Sequence, residues 1–143
     1  MYHMKIFIAS PWKNKDQVEK LMEELQAKGH EAHSFIESGA NLLSGEPIED
    51  YMKMFNEALK NWQQQDERVS KIFSSELETL KKCDLVVLLL PAGISAHLEA
   101  GIAYGWGKRV ILIGPIPKPE IVYLIFDKVY IDVSSFLKDL NNI

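Results

Sequence analysis

Residues 83–109 read CDLVVLLLPAGISAHLEAGIAYGWGKR, and between Asp84 and Lys108 the one formally charged side chain is Glu99. A carboxylate set into such uncharged surroundings is costly to bury unless it is paired or put to use. Placed beneath an electron-poor carbon it would act as a nucleophile; paired with a Lys or Arg it would be structural, and the residue types alone suit both. A second carboxylate, Glu76, falls seven residues after Val69 and four after Ile72, on the stripe that Val69, Ile72, Phe73, Leu77 and Leu80 mark as the buried face of a helix. Gly93 and Ser95 follow a strand-like run and open a helix, where backbone N–H groups and a hydroxyl suit a phosphate or a sugar oxygen. Ser10 and Trp12 follow another such run and offer a hydrogen-bonding group and a ring for stacking. His97 is a further candidate contact, although two residues from Glu99 on a helix means a different face.

Elements that would hold these residues can be read from periodicity. Lys5–Ala9, His30–Phe35, Leu85–Leu90, Arg109–Ile113 and Lys128–Val133 have the apolar, β-branched character of strands. Helices are expected over 14–28, closed by Gly29; over 48–62, where Phe55 is assigned to the core while Tyr51 and Trp62 stay open; and over 69–80. The run 96–106 reads as a buried helix, and Ser134 is suited to cap a last one. Residues 38–47 form a loop able to act as a lid. Alternating strands and helices predict an α/β fold: a doubly wound, mostly parallel five-stranded sheet of flavodoxin-like order, a three-layer Rossmann-like sandwich. In such sheets ligands bind beyond the carboxyl ends of the strands, which is where Ser10 to Trp12 and Gly93 to Glu99 fall. Asp84 stands at the opposite end of its strand, roughly 20 Å away at about 3.3 Å per residue, and is read as a connector.

The segment LPAGISAHLEAGIAYGWGK, preceded by ELETLKKCD and by KIFIASPW near the start, resembles the nucleoside 2-deoxyribosyltransferase-like superfamily, which includes deoxynucleoside monophosphate N-glycosidases. The resemblance covers most of the chain. It implies cleavage or transfer at the N-glycosidic bond of a nucleoside or nucleotide, with Glu99 at the position of the nucleophilic Glu and Glu76 where a second acid, more often Asp, helps to position the sugar or the nucleophile. It also implies a homodimer or higher homo-oligomer. Two departures stand out: the acidic residue that transferases carry six before the nucleophile is Gly93 here, and residues 114–122 hold no Asn of the kind lent across a subunit boundary. Hydrolysis is therefore favoured over base exchange.

Composition narrows the alternatives. The 143 residues carry a net charge of −4, with lysines scattered rather than clustered, which argues against a nucleic acid polymer and for a small-molecule partner. One domain, 1–143, is expected from the length. Cys83 is the single cysteine, placed to be an inert core residue, so neither a disulfide framework nor a cysteine zinc site is available. His30 and His33 are read as surface residues; no metal and no cofactor is expected. The start shows no signal peptide, and the longest apolar stretch is broken by Pro91, His97 and Glu99, so a cytoplasmic chain without a membrane span is expected. Two other functions remain in view: a nucleotide-binding module without turnover, favoured by the apolar Gly93–Ile94 pair, and an NAD-cleaving glycohydrolase.

Overall fold

The computed structural model describes residues 3–36 and 48–143, with the side chains of residues 48, 49, 51 and 52 outside the description. The loop expected over 38–47, and the Tyr51 side chain, lie outside the described residues. Five strands, β1 (Lys5–Ala9), β2 (Glu31–Ser34), β3 (Leu85–Leu89), β4 (Arg109–Ile113) and β5 (Lys128–Tyr130), form one sheet in the order β2-β1-β3-β4-β5. Every pairing is parallel, so this is the flavodoxin-like doubly wound α/β sheet.

The apolar runs of the central strands are explained by helices on both faces. Ile6, Ile8, Leu85, Val87, Leu89, Ile111 and Ile113 meet Val18, Leu21 and Leu25 of α1 (Lys15–Ala27) and Phe136 of α5 (Val133–Asp139). Phe7, Ala9, Val86, Leu88, Val110 and Leu112 turn the other way, onto Leu80 of α3 (Glu67–Lys82) and Ala96, Ala100 and Ala103 of α4 (Ile94–Gly105). The alternation follows from the two-residue period of a strand. A further helix, α2 (Ile48–Leu59), packs against α3.

Chain ends of the elements follow local chemistry. Gly29 and Gly107 take φ of 88° and 80°, the left-handed turn that closes α1 and α4 with little steric cost. Asp84 accepts a hydrogen bond from the Lys5 N–H through Oδ2 at 2.9 Å, which ties β3 to β1 at the end remote from the candidate site, as a connector should. Cys83 is buried, and burial pushes its thiol up to about 12, as fits an inert core residue.

Several expectations are corrected. β5 ends at Tyr130, three residues short of Val133, because Asp132 leaves the sheet to cap α5, its side chain accepting from the Ser135 N–H at 2.8 Å; the cap is Asp132, not Ser134. Phe73 is 56% exposed, since α3 packs on the sheet through Ile72 and Leu80 and its Phe73 flank turns outward. α4 begins at Ile94 and buries its alanine stripe, while Ile94, Leu98, Tyr104 and Trp106 on its other sides are exposed, so it is not a helix buried all round. His30 is buried rather than on the surface: its Nδ1 accepts the Met4 N–H at 3.1 Å. Among the described residues no helix is long and apolar enough to cross a membrane.

Candidate functional site

β1 and β3 are neighbours whose crossovers lead to opposite faces, so their carboxyl ends flank a crevice at the point where the strand order reverses. Ser10 continues β1 and Pro91 to Gly93 continue β3. Two hydrogen bonds hold these ends together: the Ser10 hydroxyl donates to the Leu89 carbonyl at 2.9 Å, and Asn14 Nδ2 donates to the Pro91 carbonyl at 2.7 Å. Asn14 also donates to Ser10 Oγ at 2.9 Å. Both side chains are buried, 5% exposed each, so the Ser10 hydroxyl serves this brace. Asn14 escapes a reading by residue type because nothing in its neighbours marks it; its spacing of four from Ser10 was the available signal.

Above the brace lies a cavity of about 290 Å³, lined by Ser10, Pro11, Trp12, Phe35, Phe55, Glu76, Gly93, Ile94, Ser95, Ala96 and Glu99. The structure thus brings together six of the seven predicted site residues, from β1's end, α3 and the start of α4. Trp12 and Phe35 meet edge to face with ring centroids 5.7 Å apart. Phe55, assigned to the core, instead helps wall this cavity, because α2 packs on α3 rather than on the sheet. Trp62 stands 62% exposed and takes no part in the lining. Phe35 follows β2 directly, outside the strand, and no periodicity marks it for the site.

Glu76 and Glu99 line a second, smaller cavity as well, of about 170 Å³, with Phe73, Leu77, Leu80, Ser95, Leu98 and Ile102. Helical spacing explains the meeting. Glu76 lies four residues from both Ile72 and Leu80, and Glu99 three from Ala96 and four from Ala103, so each is carried on its helix's inward stripe. Glu99 Oε2 is buried and has no hydrogen-bond partner among the described residues. Burial pushes the Glu76 carboxyl up to about 7, and burial together with the nearby Glu76 charge pushes Glu99 up to about 8.

His97, the seventh predicted residue, turns away from both cavities. Its Nδ1 faces the Gly93 carbonyl at 2.7 Å and therefore carries the proton, leaving Nε2 to accept from the Tyr123 hydroxyl at 2.8 Å. The two rings stack at 5.7 Å with 14° between their planes. His97 thus ties the Gly93 turn to the 3-10 segment Ile121–Ile125. A larger groove, about 610 Å³, runs between α1 and α5 on the other face of the sheet, away from the carboxylates.

The fold and this crevice define a doubly wound α/β protein with a small-molecule-sized site at its switch point. The same fold is found in a 2-deoxyribosyltransferase from the psychrotolerant bacterium Bacillus psychrosaccharolyticus, with a TM-score of 0.65, 20% sequence identity, and 97% of this chain and 91% of that one covered. It is found again in the CMP N-glycosidase BcmB of Clostridium botulinum, with a TM-score of 0.58, 17% identity, and 96% and 98% covered. No protein-family model matches the sequence, and no curated protein matches it.

Proposed function

We propose that the chain is a nucleoside 2-deoxyribosyltransferase-like enzyme that cleaves or transfers at the N-glycosidic bond of a nucleoside or nucleotide, with Glu99 as nucleophile. The observation that carries this is the meeting of two partly buried carboxylates, Glu76 and Glu99, in an aromatic-walled cavity at the switch point. The fold shared with two enzymes of N-glycosidic chemistry supports it.

Cleavage passes through an oxocarbenium-like state at the anomeric carbon. The ionised Glu99 carboxylate attacks that carbon as the C–N bond breaks, its electron pair leaving with the base nitrogen, which takes up a proton. Water, or an incoming base, then displaces Glu99 and restores the carboxylate. Glu76, whose carboxyl burial pushes up to about 7, is suited to position the sugar or, when it carries the proton, to hydrogen-bond the Glu99 carboxylate. The Trp12, Phe35 and Phe55 rings offer faces on which a base stacks, and Gly93 and Ser95 offer polar groups at the start of α4. The exposed Leu98 and Phe73 beside the second cavity, with Ile94 beside the first, favour a homo-oligomer that covers them.

The test is chromatographic detection of free base from a panel of nucleosides and 5′-monophosphates, comparing wild type with Glu99→Ala at matched folded content. Release by the wild type that falls by orders of magnitude in the variant is the expected result. Release that persists unchanged in Glu99→Ala removes Glu99 from the chemistry, and no release from any member of the panel, with acceptor bases present, ends the enzymatic assignment.

A further inference from the structure

Among the described residues, the charged groups that line the cavity are all of one sign. Its described lining residues include two carboxylates and no lysine, arginine or histidine. The smaller cavity shares both carboxylates and Ser95, and its other described lining residues are apolar. The segment that carries Glu99 repeats the bias: residues 83–107 contain no lysine or arginine. Lys15 stands over the Trp12 ring at 5.5 Å, but it pairs with Glu19 at 3.9 Å and lies outside the lining. A 5′-phosphate, which proteins meet with Arg, Lys or a helix N-terminus, would find one helix start and two facing carboxyl groups. A planar cation finds two acceptors and a wall of aromatic faces.

We infer that this site selects N-glycosides whose base carries a fixed positive charge, such as N-glycosyl pyridinium or N7-alkylpurinium nucleosides, and selects against their 5′-phosphates. The inference rests on the glycosidic function proposed above and names its substrate class. The chemistry is self-consistent. When the C–N bond breaks, its electron pair neutralises the ring nitrogen, so the base departs uncharged and needs no proton from the protein. Glu99 takes the anomeric carbon; water then releases the sugar, and one proton is left to solvent. Among the described lining residues Glu76 is the one group other than Glu99 able to donate a proton to a neutral leaving base, and a cationic base frees it from that task.

A second consequence is a proton count. Among the described residues that line the cavity, the titratable group facing Glu99 is Glu76 from α3; β1's end, the Trp12 turn, the residue after β2 and α2 present Ser10, Trp12, Phe35 and Phe55, none of which ionises near neutrality. A cation seated between the two carboxyls favours their ionised forms, so binding expels a proton.

The experiment is calorimetric binding to the wild-type chain at pH 6.5, in two buffers of different ionisation enthalpy, with base release followed in parallel. The probes are nicotinamide riboside, its uncharged 1,4-dihydro form and its 5′-monophosphate, and N7-methylguanosine beside guanosine. Expected are at least tenfold tighter binding of each cationic nucleoside than of its uncharged partner, weaker binding of the monophosphate, and proton release on cation binding. The charge preference should vanish in the Glu76→Gln, Glu99→Gln double variant, with its fold checked by circular dichroism. Equal or tighter binding of uncharged nucleosides, or of the monophosphate, overturns the inference; if base is still released, the glycosidic assignment survives alone. Absence of both binding and release across all probes overturns the two together.

Discussion

At the scale of single residues the site is governed by two acids that resist ionisation. As the proposed nucleophile Glu99 must be charged to attack, yet burial and Glu76 push its carboxyl up to about 8. The kcat/KM for an uncharged substrate is therefore expected to rise through the range between about pH 7 and 8, with apparent values that belong to the pair. Glu76→Gln removes the charge that raises Glu99, so the rising limb should move to lower pH; an unshifted limb in a pH–rate profile would separate the two residues. Stability carries the opposite sign. A carboxyl whose folded pKa lies above its unfolded value of 4.5 contributes stability that is complete below that value and is lost as pH rises through about 8. Glu99→Gln should abolish catalysis while stabilising the fold at pH 9 by about 2 kcal/mol, as read by denaturant midpoint at pH 5 and pH 9, with the difference confined to the higher pH. Glu99 was legible because no other charge surrounds it in sequence, and Glu76 because it interrupts an apolar stripe. Asn14, which has neither signal, acts through a tertiary contact with Pro91 that no local pattern encodes.

Among the elements, the switch-point crevice is held open by a small number of polar ties. Ser10 and Asn14 bind the end of β1 to that of β3, and His97 binds the first turn of α4 to the segment after β4. Asn14→Ala leaves the Pro91 carbonyl and Ser10 Oγ without this donor, which should cost about 1–3 kcal/mol and lower kcat more than it changes the pH profile. Thermal melts beside steady-state kinetics would test this, and an undisturbed kcat would remove the brace from catalysis. His97→Phe keeps a ring against Tyr123 but deletes both hydrogen bonds; a drop in melting temperature with KM moved by less than about threefold is expected if His97 supports the turn and does not touch substrate. The strands were readable because helices on both faces demand unbroken apolar runs, as in LVVLL and RVILI. Flanks were not: Phe55 and Phe73 fit their helical stripes, but which side of a stripe meets the sheet is decided by neighbours that the helix's own sequence does not name.

For the whole molecule, the apolar outer face of α3 and α4 sets the expectation. Phe73, Ile94, Leu98, Tyr104 and Trp106 are all exposed, an unusual concentration for a chain of this size. A homo-oligomer seated there should appear in sedimentation velocity at micromolar concentration, and Leu98→Glu should shift the distribution to monomer; a wild type that sediments as a monomer would count against it. The topology itself was foreseen from the order of elements, whereas the exposed face was mistaken for burial because an apolar helix looks the same whether a core or a second surface receives it. One feature of the fold also divides labour within the site. α4 lies on the sheet through Ala96, Ala100 and Ala103, with no side chain longer than a methyl between helix and strands on that stripe. Glu99 therefore rides on a support with no room to be remodelled, while Trp12, Phe35 and Phe55 come from a turn, the residue that follows β2 and a helix packed on another helix. On the proposed function, inheritance of the reaction and drift of the substrate are thereby assigned to separate parts of the chain: descendants can exchange the rings and meet new bases without displacing the acid proposed as nucleophile.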